Sequence, residues 1–145
     1  MTPIETLIEK QAIKELVDTF SNLADIKDVA AQGPLFTEDG HVTTYIGGEL
    51  FADLKNRAEI VDVFTDFLAN FKRVYHLNGQ LTIHLLSDNR AEGFAQVVCC
   101  KAKNTCFRLL GMRRLKRSPV KATSLKAKMW MLCTCLSTNS TSSSV

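Results

Sequence analysis

Residues 74–97 read VYHLNGQLTIHLLSDNRAEGFAQV. Apolar and polar residues alternate through most of this stretch, and Ser87-Asp88-Asn89-Arg90 interrupts it as a turn. Val74 to Leu86 and Ala91 to Cys100 are therefore predicted to be two antiparallel strands. Unbroken alternation would put His76 on one face with Asn78, Gln80, Thr82 and His84, opposite Leu77, Leu81, Ile83 and Leu85, and so leave His76 outside. A bulge at Asn78-Gly79 would shift the parity by one and bring His76 to the core side. Asn-Gly is equally the dipeptide of tight hairpins, so both readings stand on this stretch alone.

Towards the N-terminus the pattern becomes helical. Thr2-Pro3-Ile4-Glu5 is a capping box with Pro at the first helical position. Ile4, Leu7, Ile8, Leu16, Val17, Phe20, Leu23 and Ala24 then recur at spacings of three and four, which predicts an amphipathic helix from about 3 to 24. A short helical piece, Lys27 to Gln32, stops at Gly33-Pro34, and residues 36–40 make a turn. His41 to Ile46 reads as a strand, Gly47-Gly48 as a hairpin turn and Glu49 to Ala52 as its return. Asn56-Arg57-Ala58-Glu59 caps a third helix, about 57 to 71, whose apolar stripe is Ile60, Val63, Phe64, Phe67, Leu68 and Phe71. Helices followed by strands in this order predict an α+β fold with helices on one face of a curved sheet.

Towards the C-terminus the chain changes character. The net charge of +3 hides a split. Residues 1–92 carry all 15 acids and 8 basic residues, a balance of −7; residues 93–145 carry 10 basic residues and no acid, a balance of +10. At this chain's acid frequency an acid-free run of that length has a chance of about 0.3%. All five cysteines (Cys99, Cys100, Cys106, Cys133, Cys135) and a Ser/Thr-rich tail lie in the same part. Cys99 to Phe107 continues a strand pattern, Leu109 to Arg117 reads equally as a short basic helix or a strand, and no period holds after Ser118-Pro119. The chain divides on this reading into 1–100, an α+β domain, and 101–145, an atypical basic segment that is partly disordered, with pairing expected to fade between Cys100 and Arg117.

The segments IEKQAIKELVDTFSNLADIKDVAAQGPLFTEDG, HVTTYIGG, AEIVDVFTDFL and VYHLNGQLTIHLLSDNRAEGFAQV together resemble the SnoaL-like branch of the nuclear-transport-factor-2-like superfamily, which includes scytalone dehydratase and bile-acid 7α-dehydratase-like proteins. The resemblance covers residues 1–98. It implies a cone, a bent mixed sheet closed around a pocket by three helices. It also favours the bulge at Asn78-Gly79, because the runs on either side then form one bent strand. Beyond residue 98 the family's closing strand pair, with its Gly-Lys-Trp turn, is not matched; Trp130 stands in KMWMLCTC without the expected neighbours. With the missing acids, this points to translation in another reading frame from about residue 97–104, and to incomplete C-terminal strands.

The resemblance also names a site. Asp25 ends the first helix beside apolar Leu23-Ala24, where a carboxylate is costly unless it has a partner. In the resembling dehydratases the acid at this point pairs with a pocket His as general base and acid, and His76 holds the matching strand position. A carboxylate orients an imidazole's tautomer and raises its basicity, which suits proton abstraction beside a carbonyl. Tyr45 lies near where those enzymes present a Tyr to substrate oxygen, and is expected to line the same cavity. Two absences count against a specific dehydratase: Ala24 stands where those enzymes carry a Tyr, and no second pocket His occurs in residues 93–100.

Other chemistries lack their residues. The cysteine spacings do not fit a structural zinc site, and there is no Gly-rich phosphate loop or G-x-S-x-G elbow, so no metal or cofactor is expected. Arg113-Arg114-Leu115-Lys116-Arg117 has no interleaved aromatics, which disfavours nucleic acid as a partner. No apolar run reaches the ~18–20 residues of a membrane span, and MTPIETLIEK has neither a basic nor an apolar leader region. The expectation is a cytoplasmic homo-oligomer that takes a small hydrophobic ligand. Its function is either cofactor-free lyase or isomerase chemistry through Asp25, His76 and Tyr45, or ligand binding or dimerisation without catalysis.

Overall fold

The computed structural model describes residues 1–46, 48–87, 90–102, 106–116 and 128–135, with side chains as far as Cys99. Helix α1 spans Pro3–Asp25 and is opened by the capping box: Thr2 Oγ1 accepts from Glu5 N at 3.2 Å, and Glu5 Oε2 accepts from Thr2 N at 2.7 Å. A four-residue α2, Val29–Gln32, and a 3-10 turn, Gly33–Leu35, lead to the hairpin of β1, His41–Ile46, and β2, Glu49–Leu54. Helix α3, Arg57–Ala69, is capped by Asn56, whose side chain accepts from Glu59 N. Two long strands follow, β3, Arg73–Ser87, and β4, Arg90–Ala102.

Beyond them the structure corrects the sequence reading. Pairing does not fade after Cys100. Strand β5, Cys106–Lys116, pairs antiparallel with β4 from Ala102↔Cys106 to Glu92↔Lys116. Strand β6, Lys128–Cys135, pairs antiparallel with β5 and parallel with β1. The result is one six-stranded mixed sheet in the order β2-β1-β6-β5-β4-β3. Strand β4 runs through residue 100. The physical reason is that a ladder is built from backbone N–H and C=O groups, which neither a lack of acids nor irregular side-chain alternation removes. The expected disorder of the Ser/Thr-rich tail falls on residues 136–145, outside the described residues.

The helices cover one face of this sheet. Ile13, Val17 and Phe20 of α1, Phe36, Val42 of β1, Leu54 of β2 and Ile60 of α3 are buried in one cluster. At its centre Phe20 meets Phe36 and Phe64 edge-on, with ring centroids 5.8 and 6.0 Å apart, a favoured aromatic geometry. A second cluster joins Ala24, Val29, Leu68, Val74 and Cys99. Along the apolar stripes of α1 and α3, Phe20 and Leu68 are buried, and Leu16, Phe64 and Phe67 are half-buried against the clusters. The helix pattern overreaches at one end. Ile4, Leu7 and Ile8 continue the apolar stripe but stay exposed, because a helix of 23 residues is about 34 Å long and its contact with the core begins only at Ile13. Among the described residues, no helix is long and apolar enough to cross a membrane.

Candidate active site

The end of α1 decides where Asp25 points. Asp28 N donates to Leu23 O at 2.9 Å and Lys27 N to Ala24 O at 3.0 Å. This is a Schellman closure, and Lys27 occupies the left-handed position at φ 60°, where Gly is usual. Lys27 Nζ is drawn across to Phe71 O. Asp25 is therefore the last helical residue, at the end where the helix dipole disfavours an anion and where no basic residue lies in the final turn. Its compensation comes from β3.

Strand β3 delivers His76 through a bulge. Asn78 is the register partner of Val97, but Leu81 is the partner of Ala95, so Gly79 and Gln80 together oppose Gln96. The extra residue shifts the parity at the predicted place. His76 and Asn78, partners of Cys99 and Val97, lie on the helix-covered face, and so do Leu81, Ile83 and Leu85 beyond the bulge. Gly79 suits the crowding there: a Cβ would lie 3.3 Å from Gln96 O. His84, the partner of Glu92, falls on the opposite face and is exposed.

His76 Nδ1 and Asp25 Oδ1 are 2.7 Å apart, with the His side chain 8% and the Asp side chain 20% exposed. A carboxylate can only accept, so Nδ1 carries the proton, and in the neutral ring the lone pair is on Nε2. Apolar Ala24, Val74 and Cys99 flank the pair. Beside it lies a second polar group that the sequence reading passed over. Ser21 Oγ donates to Asn78 Oδ1 at 2.9 Å, and Asn78 Nδ2 donates to Asp18 Oδ1 at 2.9 Å. The available signal was the spacing of Asp18, Ser21 and Asp25, which sets three polar side chains on one face of an otherwise apolar helix flank.

Tyr45 is half-buried on β1. Residues 41–46 of β1 pair with 128–133 of β6 without interruption, while the pairing with β2 shifts register between Thr44 and Tyr45. Val42 is in the core with Ile13 and Phe20. Three consecutive buried residues, Val42, Thr43 and Thr44, hide the strand's period from sequence reading. On the β1–β2 hairpin His41 Nε2 bonds Asp53 Oδ1, and Thr43 Oγ1 reaches that same nitrogen at 3.4 Å and Asp53 Oδ1 at 3.2 Å. Both partners use one ring nitrogen, so this group is not a nucleophile–base–carboxylate relay, in which the two nitrogens have separate partners.

The Asp18 carboxyl is held below its ordinary value. Desolvation pushes it up, but the hydrogen bonds from Lys14 and Asn78 and the Lys14 charge together outweigh that. A folded-state value below the unfolded one, about 3.9, gives a contribution that is complete above the unfolded value and lost as pH falls through the folded one. Urea midpoints at pH 6 and pH 3 should therefore fall less steeply in Asp18→Asn than in the wild type. Equal slopes would show that Asp18 does not stabilise the α1–β3 contact by its charge.

Residues 5–112 match the SnoaL-like domain model, ending inside β5. No curated protein matches the chain. Solved structures do. A putative scytalone dehydratase from Novosphingobium aromaticivorans superposes with a TM-score of 0.77 at 17% identity, covering 94% of this chain and 89% of that one. A hexachlorocyclohexane dehydrochlorinase, LinA-type3, from Novosphingobium barchaimii gives 0.73 at 12% identity, covering 94% and 92%. An NTF2-like protein with a cystatin-like fold from N. aromaticivorans gives 0.68 at 21%, covering 94% and 88%. At these identities the likeness is one of fold.

Proposed function

Because this chain belongs to the SnoaL-like domain family, we propose that it is a cofactor-free lyase or isomerase in which His76, oriented by Asp25, moves a proton on a small hydrophobic substrate bearing a carbonyl group. The observation that carries this reading is the bond from His76 Nδ1 to Asp25 Oδ1 at 2.7 Å on the helix-covered face. It leaves Nε2 as a base. The positive charge that arises on the imidazole as Nε2 takes a proton meets the Asp25 carboxylate and the negative end of the α1 dipole, both already in place.

In the dehydratase form, Nε2 removes the proton α to the carbonyl. The C–H electron pair becomes the new C=C bond, and the β C–O bond breaks. The leaving hydroxide takes the proton back from Nε2 as water, so His76 ends neutral and no co-reactant is consumed. In the isomerase form the same proton returns to a different carbon. The names of two structural neighbours, a dehydratase and a dehydrochlorinase, describe eliminations, which makes the elimination the preferred form here.

The test uses a panel of aryl and alicyclic β-hydroxy ketones in D2O. The expected result is growth of the conjugated-enone absorbance, or deuterium at the α carbon, above the buffer rate. Panel members that bind without either signal would replace this reading with that of a binding module on the same fold.

A further inference from the structure

Asp18, Ser21 and Asp25 follow one another on α1 at intervals of three and four residues, so they form one stripe. Opposite them on β3, Asn78 and His76 share a face. Three of the five make a closed set of contacts. Ser21, 3% exposed, donates to the Asn78 carbonyl at 2.9 Å, and the Asn78 amide donates to Asp18 at 2.9 Å and towards Val17 O at 3.5 Å. The two ends of the Asn78 amide thus meet the two groups that suit them, a hydroxyl donor and a carboxylate acceptor, which fixes its orientation.

We propose that Asn78 is a positioning residue, clamping α1 to β3 between Asp18 and Ser21 so that Asp25 stays at bonding distance from His76. The proposal rests on the proton-transfer reading for its functional meaning, while its geometry is measurable without a substrate. Asp25 needs such a tie. It sits at a helix end whose dipole repels it, immediately before a reversal at Lys27. His76 sits on a strand that bends at the bulge directly after Asn78. The apolar contacts between these elements are non-directional, so they permit small slides of helix over strand. A slide of about 1 Å would lengthen the His76–Asp25 contact beyond a hydrogen bond.

The test reads the His76 Nδ1 proton by NMR in the full chain. In the wild type it is expected as a downfield signal that exchanges slowly with water. Asn78→Asp sets a carboxylate against Asp18 and is expected to speed that exchange at least about tenfold or to abolish the signal. The exchanged pair Asp18→Asn/Asn78→Asp restores one donor facing one acceptor and keeps an acceptor for Ser21, so slow exchange should return. A folded Asn78→Asp protein with wild-type exchange would overturn the proposal. Should that variant not fold, Ser21→Ala carries the test, with a smaller acceleration expected and unchanged exchange overturning the clamp. A wild type without the signal would overturn the Asp25–His76 bond itself, and with it both readings. A clamp that behaves as stated in a protein inert towards every ketone of the panel would remove only the proposed reaction.

Discussion

Replacing His76 by Gln is expected to lower turnover of an active β-hydroxy ketone by about 10²–10⁴-fold with little change in KM. A Gln amide can still donate towards Asp25, so the half-buried carboxylate keeps a hydrogen bond and the fold should persist. What is lost is the basic nitrogen, which the substrate meets only as the proton moves; loss of an interaction made in the transition state lowers kcat rather than raising KM. Asp25→Asn should give a comparable loss by another route. The Asn amide can donate to Nδ1, which moves the ring proton to Nε2, the atom that must accept. Rates are to be measured on variants whose circular dichroism and thermal transitions match the wild type. Turnover near the wild-type rate in a folded His76→Gln protein would remove His76 from the chemistry.

Deletion of Gln80 is expected to lower stability and, where residues 74–78 turn over, to abolish that activity. The deletion leaves Gly79 alone opposite Gln96, so the bulge disappears and the strand must alternate without a break. One half of β3 then turns over. If residues 81–85 turn, Leu81, Ile83 and Leu85 leave the first core cluster, at a cost of up to about 1.5–3 kcal/mol for each fully buried side chain. These three are only partly buried, so the true cost is smaller. If residues 74–78 turn, the losses are buried Val74, the Asn78 contacts and the His76–Asp25 bond. Either outcome lowers the urea midpoint. The second also exposes His76, whose side chain is 8% exposed in the wild type, and faster modification by diethyl pyrocarbonate would report it. A deletion variant with the wild-type urea midpoint, activity and slow modification of His76 would show that the bulge does not set which residues of β3 are covered.

Local signals in the chain were enough for the elements as far as β4. The capping box at Thr2, the cap at Asn56 and the three-and-four spacing behind each predicted α1 and α3 to within a few residues, because caps and apolar periods act over one or two turns. Asn78-Gly79 offered a bulge beside a hairpin, between which the family resemblance chose, and the acid at the end of α1 marked itself as a cost in need of a partner. Two matters were settled elsewhere. Residues 106–116 and 128–135 enter the sheet because backbone groups pair whatever side chains they carry. Asn78 meets Ser21 across 57 residues, and His76 meets Asp25 across 51. The sequence by itself determined the helices and strands as far as residue 100 and which acid was out of place. Only the tertiary structure decided which face of each strand is covered and which polar groups meet. Period and capping are properties of neighbouring residues, whereas face and contact depend on the register between segments far apart in the chain.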